Sequence, residues 1–93
     1  MLDAIKIRCN NCWIDVEATG RNIRKMRMER HITTNDLAEI FYGDATVQAI
    51  SQWETGKTLP KVDKLFVLAK VFGVTIDEII VGCVRIDPPL NAA

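Results

Sequence analysis

Gln48 and Gln52 stand four residues apart, the spacing that places two side chains on one face of an α-helix. Val47 precedes the first and Ser51 the second, so one surface would carry two amides, a branched apolar group and a hydroxyl. A glutamine can pair in bidentate fashion with adenine through N6 and N7, and a valine can meet a thymine methyl. Two glutamines are also what an ordinary solvated helix face displays, and composition alone prefers that plainer reading.

The cysteines offer a different chemistry. Cys9-Asn10-Asn11-Cys12 has the C-x-x-C spacing that brings two thiols to one metal or one redox pair. A structural zinc site takes four ligands, and the remaining soft candidates, Cys83 and His31, are distant in sequence. A thioredoxin-like motif would sit in a βαβ pattern, which is absent. Cys9 and Cys12 are therefore weak metal candidates, better read as small, partly buried residues, and no metal or cofactor is expected. A thiol or metal sensor would instead carry stoichiometric zinc. Catalysis is not expected. There is one histidine, and no Gly-rich phosphate loop, H-E-x-x-H or G-x-S-x-G.

The chain has 93 residues, 48% hydrophobic and 26% charged, with twelve basic against twelve acidic side chains. That suits one small folded domain and not a disordered chain. No apolar run is long enough for a membrane span, and the first residues do not form a secretory segment. Three cysteines make no disulfide framework, so a cytoplasmic location is expected. Zero net charge first argues against a phosphate-rich partner. The charge is uneven, however. Residues 1–30 carry seven basic and four acidic side chains, whereas residues 31–93 carry five and eight. Weak non-specific attraction to nucleic acid is what this distribution implies.

Five helices must position these groups. Thr19 is read as the cap of a helix over 20–29 with Ile23 and Met26 inward, and His31 as a residue of positive φ at its end. Thr33, with Asp36 three residues on, opens a second helix whose buried side is Leu37, Ala38, Ile40 and Phe41. Residues 42–45 form a turn. Thr46 caps a helix over 47–54, with Ala49, Ile50 and Trp53 inward and Val47, Gln48, Ser51 and Gln52 outside. A fourth helix over 62–72 buries Leu65, Leu68, Ala69 and Phe72 before Gly73 ends it. The capping box Thr75–Glu78 opens a fifth, over 76–81. Ahead of these, Ile5, Ile7 and Cys9 alternate with Lys6 and Arg8 as a short strand or extended arm. Residues 85–93 are either loose or laid on a partner. The division is an extension 1–18, a helical domain 19–82 and a tail 83–93, all-α in class. The first-turn amides around Thr34 and Asn35, with Lys57 beyond the third helix, suit phosphate contacts.

Leu37-Ala38-Glu39, then the run from Thr46 through Ser51-Gln52-Trp53-Glu54-Thr55-Gly56-Lys57, then Leu59-Pro60 resemble the Cro/repressor-type helix-turn-helix of the XRE family. The stretch from Leu68 to Ile79 is similar to the ending common in those domains. The resemblance covers about residues 19–80. It implies a five-helix, lambda-repressor-like DNA-binding domain, usually a homodimer on a double-stranded DNA operator. By position, Val47, Gln48 and Gln52 would touch bases; Thr34, Thr46, Ser51 and Lys57 would touch the DNA backbone; Arg27 and Glu54 would form a structural ion pair. The expected function is a sequence-specific transcriptional regulator, as a repressor. The alternative is an antitoxin-like module that masks a protein partner and also binds its own operator. The fifth helix with Val81, Val84 and Ile86 is the candidate dimer surface, unless those residues cover the domain's own core. Three features depart from the family pattern: a turn at 42–45 longer by two residues, which puts the base contacts in question, His31 in place of the usual Gly, and residues 1–18 outside the shared core.

Overall fold

Four of the five helices begin where a short oxygen-bearing side chain takes up a first-turn amide. In the computed structural model, which describes residues 8–87 and the side chains of 13–82, Asp15 Oδ1 accepts from Ala18 N at 2.9 Å and opens α1 (Val16–Glu29). Thr33 opens α2 (Thr34–Ile40) with a complete capping box. Thr46 opens α3 (Val47–Glu54), and Thr75, again with a complete box, opens α5 (Ile76–Ile79). The fourth helix, α4 (Val62–Phe72), starts without a side-chain cap and stops at Gly73, whose φ of 70° is the left-handed conformation. His31 adopts φ 57°, as its place after α1 required.

The helices close over one core of Ile23, Leu37, Phe41, Ile50, Trp53, Leu65, Leu68, Phe72 and Ile79. The expected inner faces of α3 and α4 are the observed ones. Ile40 is a correction: it is exposed, because α2 turns the side shared by Leu37, Ala38 and Phe41 inward and Ile40 lies about 100° around the helix from that side.

Thr19 is a second correction. It lies inside α1 and is fully buried, not a cap. Its hydroxyl accepts from Val81 N at 2.9 Å and donates to Val81 O at 3.3 Å. Asp15 and Thr19 are both cap-forming residue types. The smaller and less polar one entered the interior, where the backbone of 81 satisfies it. The boundary drawn between residues 18 and 19 therefore cuts through α1. The fifth helix is also shorter than expected, since Ile80 is already extended. Asn22 donates to the carbonyls of Glu78 and Ile79 at 2.8 and 2.9 Å, taking up acceptors at that early end.

The chain on either side of the helices forms a two-stranded antiparallel ribbon, β1 (Arg8–Ile14) with β2 (Gly82–Asp87). It is anchored to the body where Asp15 N donates to Val81 O at 2.8 Å. The five-helix body stands as expected, and the ribbon is added to it. Residues 85–87, expected to be loose or laid on a partner, are paired here. Ile5, Ile7 and Lys6, and the tail beyond 87, lie outside the described residues. Among the described residues no helix is long and apolar enough to cross a membrane.

Candidate nucleic-acid interface

The residues of α3 divide by side, with Ala49 half-buried between the two. Ile50, Trp53 and Glu54 are buried, whereas Val47, Gln48, Ser51 and Gln52 are all exposed on one surface, as the sequence indicated. Thr46 Oγ1 accepts from Ala49 N at 3.0 Å, which engages the hydroxyl oxygen at the helix start and does not use its O–H. At the other end Thr55 Oγ1 donates to Ser51 O at 2.9 Å and Lys57 N donates to Gln52 O at 2.9 Å. Both ends are thus tied down, and the exposed lysine follows directly.

Four contacts fix the angle at which α3 is held. The first is a close crossing with α1. A Cβ placed on Gly20 would lie 2.1 Å from the carbonyl oxygen of Trp53, so only glycine lets the two backbones meet. The second is Gly56, with φ 80°; a Cβ there would lie 2.7 Å from Glu17 Cγ. The third is the Arg27–Glu54 pair. Arg27 Nε meets Glu54 Oε2 at 2.6 Å and Nη2 meets Oε1 at 3.0 Å, a bidentate geometry. The remaining arginine nitrogen, Nη1, donates to Ile32 O at 2.8 Å, so one guanidinium joins α1, α3 and the α1–α2 connection. The hydrogen bonds Arg27 donates to Glu54 raise its pKa above the ordinary value, against the opposing effect of burial. On the α2 side, Phe41 and Trp53 pack edge to face with centroids 5.8 Å apart.

The longer turn between α2 and α3 is accommodated by Tyr42 at φ 52° and Gly43 at φ 88°, with Ala45 returning into the core. Tyr42 is 94% exposed. The resemblance supplied the Arg27–Glu54 pair, and the structure contains it. Gly20 and Gly56 were missed as site residues, because their role is set by backbone on another segment. Thr34 is the first residue of α2 and half-buried, on the helix that packs beside α3. Cys9 and Cys12 fall in β1, and Val84 and Ile86 in β2; their side chains lie outside those described.

A buried, rigidly held inner side and a free, neutral outer side are what a helix needs to enter a groove of DNA. Residues 23–79, well over half of the chain, match the family model for helix-turn-helix domains. The chain belongs to the helix-turn-helix family, in its XRE type, a class of DNA-binding transcription regulators. Over 63 residues, 68% of this chain, it is 40% identical to the HTH-type transcriptional activator BcrR of Enterococcus faecalis. It spans only 30% of that relative's length. Its fold is similar to the DNA-binding domain of BldD, with a TM-score of 0.63, 21% identity, and 72% of this chain and 94% of that one covered. The S. venezulae BldD DNA-binding domain gives a TM-score of 0.62 at 21% identity, covering 72% and 97%. Likeness at that identity concerns the fold.

Proposed function

We propose that the outer face of α3 reads a specific operator in the major groove of double-stranded DNA. The observation that carries this is the joint exposure of Val47, Gln48 and Gln52 on a helix whose opposite side is locked by Gly20 and the Arg27–Glu54 pair. Gln48 and Gln52 pair with adenine edges and Val47 meets a thymine methyl. Ser51, Thr34 and Lys57 hold the phosphate backbone, together with Thr46, whose hydroxyl accepts from Ala49 N and keeps its own O–H to donate to a phosphate oxygen. The action is binding, not catalysis, in the cytoplasm. The chain acts as a homodimer on two half-sites about one helical turn apart, because one small domain with few phosphate contacts binds weakly alone. Selection from random duplex DNA at moderate salt tests this. One enriched, roughly palindromic sequence is expected, and failure to enrich any sequence refutes the reading. Repression or activation follows from where the operator lies relative to a promoter, and a reporter carrying the selected site reads the sign.

A second reading, a module that masks a protein partner, draws on Val62 and Phe66, exposed one turn apart on α4. It predicts that Phe66→Ser leaves operator binding intact and abolishes partner capture.

A further inference from the structure

The basic residues of α1 and its C-terminal cap fall into two groups. Arg27 is committed to Glu54 and to Ile32 O. Arg30 donates to Met26 O and Phe72 O at 2.8 and 2.9 Å and lies over the Phe72 ring. Arg21, Arg24 and Lys25 are exposed, and none of them pairs with a carboxylate of another described residue.

Helix periodicity places this second group. Gly20 and Arg27 mark the side of α1 turned to α3, through the close approach to Trp53 O and the ion pair with Glu54. At 3.6 residues per turn, Arg24 lies about 40° around the helix from Gly20 and about 60° from Arg27, between the two along the axis. Arg21 lies about 100° from Gly20 and Lys25 about 140°, each further from α3. Thr19 and Asn22, which bond to residues 78, 79 and 81, occupy the opposite side. Arg24 therefore borders the crossing with α3 from the solvent side, with Arg21 next to it. Glu17 shares that side and packs on Gly56, directly before Lys57, about 10 Å of helix from Arg24.

We propose that Arg21 and Arg24 form, with Lys57, a basic strip that rests on the phosphate backbone of duplex DNA beside the groove entered by α3. This depends on the reading of α3 as the groove helix and extends the contact surface onto α1. The major groove is about 12 Å wide and an α-helix with its side chains is nearly as thick, so an element that crosses α3 at backbone contact stands over a phosphate wall. The α1 helix crosses in that way at Gly20. Successive phosphates of one strand advance roughly 3.4 Å along the duplex axis, so the 10 Å between Arg24 and Lys57 covers about three of them. Each guanidinium can grip two phosphate oxygens at once. The zero net charge of the chain does not oppose the contact, because Asp63, Asp77 and Glu78 sit on α4 and α5. The neutral face of α3 reads bases, and the strip beside it supplies the attraction to the backbone.

The test follows affinity against salt concentration on two DNAs, the selected operator and a random duplex. Arg24→Gln should flatten the slope of log affinity against log salt by about one unit per bound chain, and the double variant Arg21→Gln/Arg24→Gln by about two, equally on both DNAs. Urea unfolding of each variant should match the parent, since neither side chain has a partner to lose. Lys70→Gln removes the same charge from α4, where the ammonium lies over the Phe66 ring, and should keep the parent slope. A parent slope in the double variant overturns the strip. Equal flattening in Lys70→Gln would assign the effect to net charge and overturn it as well, and a loss confined to the operator would make Arg24 a base contact. Failure to enrich any operator refutes the base reading of α3, whereas the random-duplex measurement reports on the strip by itself.

Discussion

On its inner side α3 presents Ile50, Trp53 and Glu54 to a packed interior, and on its outer side Val47, Gln48, Ser51 and Gln52 to solvent. Inside, position is over-determined: a backbone crossing that admits no Cβ, a bidentate ion pair and an aromatic edge contact all fix one helix angle. Outside, the side chains named are neutral. The inner side uses folding energy to hold the outer side still. Base readout depends on amide geometry, so a loosely held helix would lose discrimination before it lost charge-based attraction. Substitutions on the inner side should therefore cost stability first, and substitutions on the outer side should cost recognition alone.

The largest effect is expected at Gly20. Alanine there would sit 2.1 Å from a main-chain oxygen, which cannot rotate away, so α1 and α3 must separate. Gly20→Ala should destabilise the fold by about 4 kcal/mol, measured by urea unfolding. A variant as stable as the parent would break the comparison at its base. Next comes Glu54→Ala, which leaves the Arg27 guanidinium, 12% exposed, without its carboxylate. A loss of about 3 kcal/mol is expected in the same measurement. Glu54→Gln, which keeps an acceptor, should cost less. If both variants unfold like the parent, the pair is not what holds the angle.

How much of this was legible beforehand follows the range of each signal. The caps at Thr33, Thr46 and Thr75 and the inward rows of α3 and α4 are local patterns, and they stand where the sequence put them. The Arg27–Glu54 pair spans 27 residues and was reached only through the family resemblance. Thr19 was misread because its partner, Val81, is 62 residues away, and nothing near Thr19 reports on it. The ribbon failed for the same reason. The 5–9 alternation suggested a strand, and its last two residues, Arg8 and Cys9, lie in β1, but they pair with Asp87 and Ile86 near the other end of the chain. Gly20 is the hardest case, since a glycine within a helix looks like a mere propensity cost until the carbonyl of Trp53 is placed against it.

On the outer side the expected effects are smaller and take a different form. Gln48→Ala should leave unfolding unchanged and weaken the selected operator by about 2 kcal/mol, with discrimination relaxed at a single base position. A stability loss of similar size would show that Gln48 belongs to the inner group after all. Thr46→Ala tests the boundary between the two sides, because its hydroxyl caps Ala49 N while its main chain starts the exposed face. A cost of about 1 kcal/mol in stability is expected, with any loss of DNA affinity spread over all positions.

The smallest effect is expected at Lys57, and it sharpens the comparison most. Lys57 is exposed, and its backbone N–H already serves Gln52 O, so removing the side chain leaves the helix end intact. Lys57→Ala should therefore unfold like the parent. Its DNA affinity should fall by the same factor on the selected operator and on random duplex. The slope of log affinity against log salt should flatten by about one unit, since one phosphate neutralisation is lost. A change confined to the operator would mean that Lys57 reads bases. The outer side would then extend past α3 into the turn at Gly56, whose tight approach to Glu17 would become part of recognition as well as of packing.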